Sequence, residues 1–183
     1  MILKLKQTPA IYLVGFMGSG KSTIGRALAD ELGWCFVDLD EDVERLAGTT
    51  IAEIFDSQGE PAFRALETAV LKKRIQSVKA GRPHVIALGG GAFTIPENVD
   101  LTEKNGITIW LDTPLEVIER RIAAERAHRP LARDTTRFRE LYEARRASYE
   151  RADYRIETGD EPTASVVGRI LAIPLFVSDT NSG

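Results

Sequence analysis

Cysteine is almost missing from this chain of 183 residues: the one thiol, Cys35, excludes an internal disulfide and fits a reducing compartment. It lies in the apolar run Trp34-Cys35-Phe36-Val37, where buried packing is its expected role. Histidine is nearly as scarce, and neither His84 nor His128 has a partner pattern that points to a site. There is no surplus of positive charge. With 24 Lys and Arg against 27 Asp and Glu, the formal net charge is -3, so neither nucleic acid nor an anionic membrane is an expected partner. No apolar stretch approaches the ~18 residues of a membrane span. The first residues, Met1-Ile2-Leu3-Lys4-Leu5-Lys6, lack the apolar core and cleavage site of a secretory signal, so the expected location is cytoplasmic. Internal repeats and interdomain linkers are absent too. The chain reads as a single domain over 1–183, with a lead-in of about 1–9 and a frayed tail from about 174.

What is present is concentrated in one stretch, Gly15-Phe16-Met17-Gly18-Ser19-Gly20-Lys21-Ser22-Thr23. It fits the phosphate-loop pattern G-x-x-x-x-G-K-[ST] through Gly15, Gly20, Lys21 and Ser22. The apolar run Ala10–Val14 before it reads as a buried strand, and Ile24, Leu28 and Leu32 after it mark one face of a helix. Strand, glycine loop and helix is the order the motif needs. Glycines let successive backbone N–H groups converge on an anion, and the helix N-terminus adds unpaired N–H groups and its dipole. Gly18, Ser19, Gly20, Lys21, Ser22 and Thr23 are therefore the expected ATP phosphate contacts. Lys21 would set its charge on the β- and γ-phosphates, and the Ser22 hydroxyl would ligate Mg²⁺.

Beyond the loop, patterning predicts strands at Cys35–Val37, Val85–Leu88, Ile107–Leu111 and Tyr154–Glu157. Helices are expected from Glu41 to Ala47, from a Thr50 cap, from Gly59-Glu60 to about Val78, over Pro96–Lys104, after Thr113-Pro114, up to Tyr149, and over Thr163–Leu171. Strands alternating with helices imply an α/β fold with a parallel sheet covered on both faces.

In such a sheet, ligands bind beyond the carboxyl ends of the strands. Three predicted strands end in the phosphate loop, in Asp38-Leu39-Asp40 and in Gly89-Gly90-Gly91. Asp38 and Asp40, two apart, would share one side of an extended chain. One could serve Mg²⁺ and the other a substrate hydroxyl, or the pair could simply cap a helix. The glycine triplet could bring backbone close to a substrate or supply positive φ in a turn. Arg64 has Glu60 four residues before it and Glu67 three after. This is either an ordinary exposed helix pair or a guanidinium held for a substrate carboxylate.

Together these segments resemble the shikimate kinase family, from about Ile11 to Ile170. The matching pieces are Gly15 to Arg26, Asp38-Leu39-Asp40, Ile54-Phe55, Gly59-Glu60 with Phe63-Arg64, Gly89-Gly90-Gly91, and Arg129-Pro130-Leu131. The resemblance implies a P-loop kinase fold with a central five-stranded parallel sheet flanked by helices, plus a mobile lid. It implies an ATP- and Mg²⁺-dependent monomer that converts shikimate to shikimate 3-phosphate on the route to aromatic amino acids. It places Asp38 beside Ser22 on the Mg²⁺ side, Asp40 on the hydroxyls of shikimate, and Arg64 and Arg145 on its carboxylate. Gly90 would supply a backbone contact, and Arg129 would reach the transferring phosphate from the lid, so that Lys21, Asp40 and Arg129 form the catalytic set. Arg145 is chosen over Arg146 because the family's arginine stands four residues before a tyrosine, here Tyr149. Two departures stand out: Ala132 replaces the second leucine of Arg-Pro-Leu-Leu, and the Arg121–Arg129 stretch is one residue longer than usual, which leaves Arg121 unassigned. A gluconate-kinase-like enzyme and a non-catalytic ligand sensor are the alternatives.

Overall fold

The computed structural model describes residues 10–126 and 135–174. The lead-in 1–9, the segment 127–134 that contains Arg129, and 175–183 lie outside the described residues. Among the described residues a five-stranded parallel sheet forms in the order β2-β3-β1-β4-β5. Its strands are β1 (Ala10–Val14), β2 (Cys35–Asp38), β3 (His84–Ala87), β4 (Ile107–Asp112) and β5 (Tyr154–Glu157). Helices α1 (Lys21–Leu32), α2 (Leu39–Ala47), α3 (Ile51–Lys79), α4 (Pro96–Lys104), α5 (Leu115–Arg126), α6 (Thr135–Tyr149) and α7 (Thr163–Leu171) cover it.

Strand β1 is central and buried throughout because both of its faces are covered. Side chains alternate across a strand, so Tyr12 and Val14 join Ile86, Trp110, Val43, Leu71 and Tyr149 in one core. Ile11 and Leu13 join Val85, Ile109, Leu28, Val166 and Ile170 in the other. At Gly25 the first helix rides directly on β2, since a Cβ there would stand 2.5 Å from the Phe36 ring.

Several local expectations are realised. Gly33 ends α1 in the left-handed region (φ 66°), and Thr50 opens α3 with a reciprocal capping box to Glu53. The break between the two helical stretches around Gly59 (φ 81°) is a sharp kink within α3. Other expectations are corrected. Cys35 is exposed, at the first residue of β2, an edge strand. Asp38-Leu39-Asp40 is not extended: Asp38 caps α2 and Asp40 already lies in its first turn. The helix expected after Thr113-Pro114 runs on through Arg120 and Arg121 to Arg126.

Candidate active site

The carboxyl ends of β1, β2 and β3 converge on one cleft of about 550 Å³, lined by the phosphate loop, Asp38, Asp40, Leu88 and Gly90. The loop bends through Gly18 (φ 78°) and Gly20 (φ 92°), values that side chains disfavour, and α1 starts immediately at Lys21. The Lys21 Nζ donates to the carbonyls of Gly15 at 2.8 Å and Phe16 at 3.0 Å. Burial lowers its pKa to about 8, against the pull of Asp40 and Asp38, which favour the charged form.

Asp38 divides its two oxygens. Oδ1 accepts from the Asp40 N–H at 3.0 Å and caps α2, while Oδ2 accepts from the Ser22 hydroxyl. Capping and site-building are thus the same residue's work. A hydroxyl and a carboxylate side by side at the phosphate loop are hard oxygen donors, the chemistry that suits Mg²⁺ shared with phosphate oxygens. Asp40 is partly buried. Desolvation raises its pKa, as does neighbouring Asp38, whereas Lys21 and Arg64 oppose the shift.

The glycine triplet acts through the space it leaves. The triplet does form a turn, but none of its members has a positive φ, so backbone conformation is not what calls for glycine there. A Cβ on Gly89 would stand 2.5 Å from Asp40 Oδ1 and 2.9 Å from Glu67 Oε1. On Gly90 it would stand 3.2 Å from Arg145 Nη1 and 3.3 Å from Met17 N. On Gly91 it would overlap the Arg64 guanidinium. Each glycine therefore leaves room for a different charged side chain: Asp40, Arg145 and Arg64 in turn.

Arg64 is no exposed pair, with 17% of its side chain accessible. Its Nη1 donates to Glu67 Oε2 at 2.9 Å, and its Nε and Nη2 donate to Glu60 at 3.2 and 3.1 Å. Glu67 is fully buried, and its Oε1 has no partner among the described residues. Burial pushes the Glu67 carboxyl up, against the hydrogen bond and charge of Arg64. The two neighbouring arginines of α6 part company. Arg145 lies over Phe16 (5.6 Å) and beside Gly90, whereas Arg146 is bound to Asp112 at 2.6 and 3.2 Å, away from the triplet.

Patterning missed the connection between β5 and α7. Thr158, Gly159, Glu161 and Thr163 line the same cleft, and Arg121 ties it to the phosphate loop, donating to Gly18 O at 3.1 Å and to Gly159 O. No motif marks it. The rule that sites gather beyond strand ends could have found it, because β5 pairs with β4 and β4 with β1. Arg129 lies outside the described residues.

A phosphate loop opening a helix off the central strand, a hydroxyl–carboxylate pair beside it, and cations gathered across a glycine bend together define a P-loop kinase. The comparisons narrow the class. A family model described as shikimate kinase matches residues 17–173. The shikimate kinase of Persephonella marina is 41% identical over 88% of this chain and 96% of its own length. The solved shikimate kinase of Acinetobacter baumannii, in complex with shikimate, is 37% identical with a TM-score of 0.80, covering 91% and 92% of the two chains. A gluconokinase from Sinorhizobium meliloti, 16% identical with a TM-score of 0.52, shares the fold alone. The chain belongs to the shikimate kinase family. Among the described residues, no helix is long and apolar enough to cross a membrane.

Proposed function

We propose that this chain transfers the γ-phosphoryl group of ATP to a hydroxyl of shikimate, giving shikimate 3-phosphate and ADP. The observation that carries the reading is the glycine triplet, whose three missing side chains make room for Asp40, Arg145 and Arg64 beside an intact phosphate loop. The relative from Acinetobacter baumannii, in complex with shikimate, supports the choice of acceptor.

In this reading the backbone N–H groups of Gly18 to Thr23 hold the phosphates, and Lys21 leaves its parking carbonyls to neutralise the charge between β- and γ-phosphate. Ser22 and Asp38 hold Mg²⁺, which supplies further neutralisation of phosphate charge when bound. Arg64 and Arg145 bind the acceptor carboxylate, while Asp40 and the Gly90 backbone orient the attacking hydroxyl. The acceptor oxygen forms a bond to the γ-phosphorus as the bond to the bridging oxygen breaks, and Asp40 takes the hydroxyl proton. A raised Asp40 pKa makes that carboxylate a stronger base than a free aspartate. Arg129 is assigned to the transferring phosphate by family resemblance.

The test is ADP release with and without shikimate. ADP should form only when shikimate is present, at one ADP per acceptor phosphorylated. An analogue with the carboxylate replaced by a neutral amide should be a poor acceptor. Equal rates with and without shikimate, or equal use of acid and amide, would overturn the assignment.

A further inference from the structure

Two carbonyls of the glycine bend are held by local turns. The Ala92 N–H donates to Gly89 O at 3.0 Å, and the Thr94 N–H and hydroxyl donate to Gly91 O at 3.1 and 2.7 Å. The middle carbonyl, Gly90 O, has no such turn bond among the described residues and accepts instead from the Tyr149 hydroxyl at the end of α6. That hydroxyl also faces the Arg145 guanidinium, whose charge and hydrogen bond act on it. The Tyr149 ring is 1% exposed and packs against Trp110 at 6.0 Å, so the hydroxyl is delivered from a fixed platform.

Glycine–glycine peptides rotate at little cost, and a peptide plane whose carbonyl is pinned has its N–H pinned in the opposite direction. One hydroxyl thus controls both the Gly90–Gly91 peptide and the arginine that stands 3.2 Å from Gly90's missing Cβ. We propose that Tyr149 is a positioning residue for the acceptor, its hydroxyl locking the glycine bend and Arg145 into one carboxylate-reading unit. The proposal builds on the assignment of Arg145 and Gly90 to acceptor binding given above.

Helix α6 contains its own control. Seven residues earlier, the Tyr142 hydroxyl donates to the buried carbonyl of Thr113 at 2.9 Å, and Arg146 donates to it at 3.0 Å. The chemistry is the same, but this pair faces Asp112 rather than the glycine bend.

Tyr149→Phe keeps the ring and removes the hydroxyl. KM for shikimate should rise about tenfold, equivalent to about 1.4 kcal/mol, with KM for ATP within about twofold of the parent. Discrimination between shikimate and its amide should fall in the same variant. Tyr142→Phe should lower the melting temperature comparably while leaving KM for shikimate within about twofold. A Tyr149→Phe enzyme that is merely less stable, or in which both KM values rise together, would overturn the proposal. If that variant does not fold, tyrosine labelled with ¹³C at Cζ in the unmutated enzyme supplies the reading. The Tyr149 resonance should shift on adding shikimate and stay fixed on adding a non-hydrolysable ATP analogue alone; an unmoved resonance overturns the idea. Failure of the underlying assignment looks different, because the unmutated enzyme would then use acid and amide alike.

Discussion

Lys21 carries its charge in a half-buried place, where desolvation lowers its pKa to about 8. Phosphate binds the protonated form, so kcat/KM for ATP should fall as pH rises through about 8, approaching tenfold per pH unit. Stability should move the other way. The unfolded lysine titrates near its ordinary 10.5, so the unfolded chain binds more protons between about 8 and 10.5. The contribution of this residue is therefore fully present above 10.5 and lost as pH falls to about 8. A kcat/KM profile for ATP that stays flat to pH 9.5 would refute the first expectation. Lys21→Ala should cost about 10²–10³-fold in kcat, the scale for removing one transition-state donor, in a protein that still folds.

At the scale of elements, the glycine bend after β3 and the cap of α3 separate site from scaffold. Gly91→Ala would place a methyl group on the Arg64 guanidinium, with Cζ at 2.8 Å, and the far end of a side chain yields before backbone does. KM for shikimate should rise by about one to two decades, as for loss of a charge-assisted hydrogen bond, while KM for ATP changes little. A rise confined to ATP would place Arg64 elsewhere in the reaction. Thr50→Ala removes a capping box at the exposed start of α3 and should cost about 1 kcal/mol of stability. Denaturant melts and steady-state kinetics together check this: the midpoint should drop with both KM values and kcat unchanged. Asp38, at the end of β2, serves both site and scaffold, since it caps α2 through one oxygen and meets Ser22 through the other.

For the whole molecule, the nucleotide is also a fold stabiliser, because the phosphate loop links the central strand β1 to α1 and exists as a site only in the folded chain. ATP at 100 times its dissociation constant should add about 2.7 kcal/mol, or roughly 5–10 °C in melting temperature for a domain of this size. Lys21→Ala should lose most of that increment; an increment equal to that of the parent would contradict the phosphate-binding role. The alternation of apolar runs and helical faces was enough to read the parallel α/β sheet and the boundaries of α4 (Pro96–Lys104), β5 (Tyr154–Glu157) and α7 (Thr163–Leu171), because these depend on local periodicity and caps. The phosphate loop was legible for the same reason: its chemistry lies in consecutive residues. Strand order is not local. Only the tertiary structure put β2 at the sheet edge with Cys35 exposed at its start, brought the β5–α7 connection beside Gly18, and turned Arg146 onto Asp112 while Arg145 faced Gly90. It also decided what the three glycines are for. Backbone freedom is a property of glycine that a sequence displays, but the volume an absent side chain leaves acquires meaning only when Asp40, Arg145 and Arg64, distant along the chain, pack into it.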